Sequence, residues 1–170
     1  MGRSHQQEAF LYLSRVLGVM FDAVSVIFMV MLFGIIFWRK GYKKEAMVAA
    51  AVMFSEVVAV FVTKLIVHRA RPLNIVGETG YSFPSGHAAA AMVFFGLIIY
   101  FTCIHAKSKK IKVAVVLSSI FMMISIGASR IYLNAHWASD VIAGFSVGLF
   151  ILTMGILVRD VFENWKLSKE

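Results

Sequence analysis

The residues best suited to chemistry fall in three short segments of a mostly apolar chain: Lys64 to Pro72 (KLIVHRARP), Pro84 to His87 (PSGH) and Ser129 to Asp140 (SRIYLNAHWASD). Lys64, Arg71 and Arg130 supply positive charge, and arginine adds a planar fork of donors that matches the oxygens of an anion. His87 and His136 bring imidazoles, which exchange protons near neutral pH. Asp140 follows His136 by four residues, so in a helical stretch the two side chains project from one face a turn apart. A carboxylate on one ring nitrogen would fix the tautomer of His136 and stabilise an imidazolium. Pro84, Ser85 and Gly86 read as a turn that opens a helix: Pro fixes the backbone, Gly lets it approach a ligand, and the free N–H groups favour an anion. The chemistry these types suit is acid–base or nucleophilic work by histidine on an anion held by cations.

Such residues need a scaffold, and composition defines it. Hydrophobic residues make up 60% of the 170 and charged residues 15%, too apolar for a soluble domain and typical of an all-α integral membrane bundle. Crossing about 30 Å of hydrocarbon at about 1.5 Å per residue takes some 20 apolar residues. Five stretches qualify or nearly so: Leu17–Trp38, Ala46–Val67, Ala88–Ala106, Val113–Ala128 and Val141–Val158. They are apolar all round, so periodicity does not say which face meets lipid. Residues 1–16 lack the pattern of a secretory signal and are expected as mature sequence, forming a short interfacial helix. With no repeat or linker, residues 1–170 are expected to form a single membrane-embedded domain. Cys103 is the only cysteine, which excludes an intrachain disulfide. The five histidines show no metal-ligand spacing, so no metal or other cofactor is expected.

Basic residues set the orientation. Arg39, Lys40, Lys43 and Lys44 follow the first stretch, and Lys107, Lys109, Lys110 and Lys112 follow the third, so both loops are expected to be cytoplasmic. Five crossings then place the C-terminus inside, the N-terminus outside, and all three chemical segments together at the outer face. Lys64, His68, Arg69, Arg71 and Arg130 thus lie where the positive-inside rule disfavours them, and an anionic ligand explains the exception. The net charge of +8 comes largely from the cytoplasmic loops, which face anionic lipid. Basic and aromatic residues are not interleaved in a soluble segment, so no nucleic-acid partner is expected.

Read in order as K-x6-RP, PSGH and SR-x5-H-x3-D, the three segments resemble the type 2 phosphatidic acid phosphatase (PAP2) family, membrane relatives of the vanadium haloperoxidases. The resemblance covers most of the chain. It implies a PAP2/haloperoxidase-like helical core and a metal-independent phosphatase of lipid phosphates or pyrophosphates in the cell envelope, in the bacterial cytoplasmic membrane with an outward-facing site. It implies that Lys64, Arg71 and Arg130 bind phosphate oxygens, aided by Ser85 and the N–H of Gly86. It makes His136 the nucleophile that forms a phosphohistidine, His87 the acid and then the base, and Asp140 the support of His136. Substrates within the family include undecaprenyl pyrophosphate, phosphatidylglycerol phosphate, phosphatidic acid and the 1-phosphate of lipid A, and the motifs do not choose among them. Transfer of the phosphoryl group to an acceptor other than water is the alternative within enzymes. Transport of anionic lipids is the alternative outside them, although transporters place polar helix breaks near the midplane.

Members of this family commonly have six transmembrane helices. The sequence shows five, with no clear helix before Leu17. His68 and Arg69 lie in the first segment outside its fixed positions and are left out of the core set. Glu56 is an acid within an apolar stretch, two turns before Lys64, with functional and structural uses about even. Asp22 is expected to reach the interface. Gly144 and Gly148 continue the four-residue steps of His136 and Asp140 as a G-x-x-x-G stripe suited to close packing within the monomer.

Overall fold

The apolar stretches become helices because a membrane leaves no other way to satisfy backbone polar groups locally. The computed structural model describes residues 5–72 and 77–169, in α1 (His5–Met20), α2 (Ala23–Arg39), α3 (Lys43–Val67), α4 (Gly86–His105), α5 (Lys109–Tyr132) and α6 (Ala138–Leu167). Among the described residues there is no strand. Helices α3, α4 and α5 and residues Ala138–Val161 of α6 are each long and apolar enough to cross a membrane, and α1 with α2 makes a fifth candidate bent by 56°. The expected all-α membrane bundle is therefore observed, with four to five spans.

Helix α4 is central, packing against α6, α5, α3 and α2. Its buried run Ala88–Ala91 is small, and small residues let membrane helices come close where lipid supplies no hydrophobic drive. The glycine stripe of α6 meets this run. A Cβ at Gly144 would collide with the Ser85 carbonyl oxygen, and one at Gly148 would lie 2.6 Å from the Ala89 carbonyl oxygen. The stripe thus serves packing inside the chain and clamps α6 to the first turns of α4. Large apolar residues such as Phe54, Phe121 and Phe150 point outward, which identifies the lipid-facing surfaces that periodicity left open.

The first apolar stretch departs from expectation. Instead of one span over Leu17–Trp38, the chain breaks at Phe21–Asp22. Asp22 does not simply reach the interface: it caps α2, its Oδ1 accepting from the Ser25 N–H at 2.7 Å, while the Ser25 hydroxyl donates to the Val19 carbonyl at 2.7 Å. A carboxylate at a helix N-terminus satisfies free N–H groups and the helix dipole, enough to interrupt a hydropathic run. Upstream, α1 buries Ser14, Leu17 and Gly18 and packs on α5, with the rings of Phe10 and Tyr132 edge-on at 4.5 Å. A helix before Leu17 therefore exists, and the polar residues His5, Gln6, Gln7, Glu8 and Arg15 hide it from hydropathy. Of the segment 1–16 expected as an interfacial helix, residues 1–4 lie outside the described residues.

Candidate active site

The C-termini of α3 and α5 and the N-termini of α4 and α6 stand at one end of the bundle, and the α1–α2 break joins them. Lys64, in the last turn of α3, donates from Nζ to the Tyr81 carbonyl at 2.6 Å. His68 ends α3 in the left-handed region (φ 51°), its N–H bonded to the Lys64 carbonyl, and its ring packs edge-on against Tyr81. That cap turns the chain into the loop that carries Arg69 and Arg71.

Arg71 is held on several sides. Its Nη1 donates to Glu78 Oε2 at 2.7 Å and to the Ala135 carbonyl at 2.9 Å, and lies 3.2 Å from His136 Nε2. Arg130, in the last turn of α5 and 2% exposed, donates from Nη1 to Glu78 Oε1 at 3.2 Å and from Nη2 to the Ser14 carbonyl of α1 at 2.8 Å. Its guanidinium lies flush against Gly18, where an added Cβ would be 2.5 Å from Nη2. Glu78 thus bridges two arginines.

His136 lies in the turn between α5 and α6 and is 2% exposed. Its Nδ1 is 2.7 Å from the Ser82 carbonyl, which only accepts, so Nδ1 carries the proton. Nε2 keeps its lone pair and faces Arg71, with Glu78 Oε2 at 3.7 Å.

Asp140 is placed differently from the expected helical pair. His136 precedes α6, and Asp140 Oδ2 lies 3.6 Å from Nδ1, beyond a hydrogen bond. The carboxylate instead accepts from the Trp137 N–H at 2.9 Å and from Arg69 Nη1 at 2.7 Å. It stabilises the turn that holds His136 and contributes negative charge behind the ring, while the Ser82 carbonyl is the direct acceptor. Arg69, outside the core set, is the partner of Asp140 and also stacks over Trp137 at 5.4 Å.

The PSGH segment opens α4. Ser85 is fully buried as N-cap, its Oγ accepting from the Ala88 N–H at 3.4 Å and its own N–H donating to the Asp140 carbonyl at 2.9 Å. Gly86 begins the helix, and His87 follows with Nε2 3.1 Å from the Gly18 carbonyl. That carbonyl is available because α1 ends two residues later, so the break seen in the fold is what serves His87.

All eight expected residues therefore gather, but not equally. Lys64, Arg71, Gly86, His87 and His136 line a cavity of about 530 Å³, together with Glu78. Arg130 reaches this group through Glu78, whereas Ser85 and Asp140 stand behind it as supports. From this polar end the cavity runs between α2 and α3 along residues such as Val30, Met53 and Phe61. A larger cavity of about 620 Å³, between α3 and α6 near Lys44, Arg159 and Trp165, has no histidine in its wall.

The charges fit an anion. Burial raises the pKa of Glu78, but His87, Arg71, His136 and Arg130 more than offset this and hold it below the usual carboxylate range. Burial, then the Arg71 guanidinium, pushes His136 down to about 3 against the opposing pull of Glu78. The imidazole is thus neutral at physiological pH. Atoms of Glu78, His87 and His136 lie within 4.8 Å of one another, a three-ligand group that no sequence spacing announces. The adjoining guanidiniums of Arg71 and Arg130 repel a cation and favour an anion in the same space.

Glu78 is the residue of this cluster that the sequence did not point to. Its only signal is that it is the sole acid among the residues joining α3 to α4. The carbonyls of Ser14, Gly18 and Ser82 have no sequence signal at all.

Fold and site together describe a helical membrane protein with a cluster of histidines and cations at one end, and comparison with known proteins identifies the class. The sequence model of the PAP2 superfamily matches residues 45–165, which include all three segments, and the chain belongs to that superfamily. Over 141 residues it is 30% identical to phosphatidylglycerophosphatase B of Bacillus subtilis, covering 81% of this chain and 66% of that protein. Over 139 residues it is 27% identical to an undecaprenyl-diphosphatase of Sulfolobus acidocaldarius, covering 75% and 63%. The chain thus spans less than two thirds of the length of either. The fold is that of a transmembrane PAP2 type phosphatidylglycerolphosphate phosphatase from Bacillus subtilis, with a TM-score of 0.79 at 23% identity over 94% of this chain and 79% of the other.

Proposed function

We propose that this chain is a membrane phosphatase that hydrolyses a lipid phosphate or pyrophosphate through a phosphohistidine on His136. The observation that carries the reading is the unprotonated Nε2 of His136, which faces the Arg71 guanidinium at 3.2 Å and, at 3.7 Å, the Glu78 carboxylate that Arg71 and Arg130 hold in place. A phosphoryl group that displaces the Glu78 carboxylate from between Arg71 and Arg130 would present phosphorus to that nitrogen. In the first step Nε2 attacks phosphorus, the bond to the leaving oxygen breaks in line, and His87 supplies the proton that oxygen needs. In the second, His87 takes a proton from water, the water oxygen bonds phosphorus, and the P–N bond breaks to release phosphate. Lys64, Arg71, Arg130 and the Gly86 N–H offset charge on the equatorial oxygens, which is most of what phosphoryl transfer asks of a protein.

The apolar cavity between α2 and α3 supports a lipid substrate, since its chains stay in hydrocarbon while the phosphate meets the cations. The candidates are undecaprenyl pyrophosphate, phosphatidylglycerol phosphate, phosphatidic acid and lipid A 1-phosphate. The lysine-rich turns at the opposite ends of α3 and α4 support an outward-facing site in a bacterial cytoplasmic membrane. Phosphate release from these four lipids, with EDTA present, tests the reading. Release by wild type and its loss in His136→Ala is expected; no release by folded wild type would refute it.

A further inference from the structure

Glu56 has no part in the site described so far. It stands in the middle of α3, 2% exposed, and has no hydrogen-bond or ion-pair partner among the described residues. An ionisable side chain within a membrane helix is costly unless it meets a partner or a cavity, and such a residue marks the path of a ligand. Glu56 lines the same cavity as His87 and His136, among apolar residues that include Val57, Met53 and Val30.

Its depth can be fixed. Gly86 packs on Val60, where an added Cβ would lie 3.6 Å from Cγ1, so Val60 is level with the PSGH turn. Glu56 is four residues earlier on α3, about 6 Å deeper into hydrocarbon. A carboxylic acid there offers an O–H donor, and the ligand group that answers it is a carbonyl a few bonds from the phosphate.

We infer that Glu56 reads an acyl carbonyl of the substrate, so that the site takes acylated phosphates such as a diacylglycerol phosphate in preference to polyprenyl phosphates. The inference rests on the phosphatase reading above. A polyprenyl phosphate carries no carbonyl at any depth, whereas glycerol esters and the acyl groups of an acylated sugar phosphate place one there.

The test compares diester phosphatidic acid with its diether analogue, which keeps headgroup and chains but lacks both carbonyls. For wild type, kcat/KM should favour the diester about tenfold, the order of one hydrogen bond. In Glu56→Leu the diester should lose most and the ratio should fall to about one. Glu56→Gln, which keeps a donor, should retain a preference. Lipid A 1-phosphate and undecaprenyl pyrophosphate complete the panel: a loss in Glu56→Leu confined to phosphatidic acid identifies glycerol esters as the group read, and one shared with lipid A identifies acyl carbonyls in general. A wild-type ratio near one, or an unchanged ratio in Glu56→Leu, overturns the inference while leaving the phosphatase reading intact. Release from no lipid overturns that reading and the inference with it.

Discussion

His136 has one nitrogen already occupied, and that decides what the other can do. With Nδ1 bound to the Ser82 carbonyl, Nε2 is the only nucleophilic atom of the ring, and its low pKa of about 3, set by burial and then Arg71, keeps it unprotonated. The acidic limb of kcat/KM, which reports the free enzyme, should therefore fall below about pH 5, well under an ordinary histidine. Replacing Arg71 by Gln removes a positive neighbour, favours the imidazolium and should move that limb to higher pH; a limb near pH 6.5 in wild type would contradict the assignment. Arg130→Lys should cost about 100-fold or more in kcat/KM, because a point charge cannot bridge the Ser14 carbonyl, Ser129 and an anion at once. Thermal melting would confirm that this variant still folds. That the motif residues gather at one place was legible in the sequence, because their types and spacing single them out from an apolar chain. Glu78 was not, because a lone loop acid gives no sign of the two arginines that folding brings to it.

Helix α4 packs closely on α6, and glycines let the two approach: Gly144 and Gly148 against Ala88, Ala89 and Met92, and Gly96 against Leu152. Gly148→Leu would force a side chain into the Ala89 carbonyl and Met92, so it should lower stability by about 1–3 kcal/mol and abolish activity together. A variant that melts like wild type would mean that α4 and α6 are not in this close register. Asp22→Ala removes the cap of α2 and should cost about 1 kcal/mol, with a further loss of kcat/KM as α1 and its carbonyls shift away from His87 and Arg130. Asp22→Asn keeps the cap and should keep most activity. Helices α3 to α6 were visible as apolar runs. The α1–α2 break was not, since one aspartate inside an otherwise apolar stretch looks like a tolerated exception until its bond to Ser25 is seen.

The bundle is polar at one end and lysine-rich at the other, and the positive-inside rule then predicts a site that faces outward. In a Cys103→Ser background, a cysteine at Thr79 should react with an impermeant thiol reagent on intact cells, and one at Lys107 only after permeabilisation. The reverse pattern would place the site inside. The proposed reaction depends on His136 carrying the phosphoryl group, and that is the most direct thing to measure. Lipid phosphate labelled with ³²P, mixed with wild type and quenched in alkali where phosphohistidine survives, should leave label on His136 and none in His136→Asn. Steady release of phosphate with no label on His136, or with label on another residue, would contradict the mechanism.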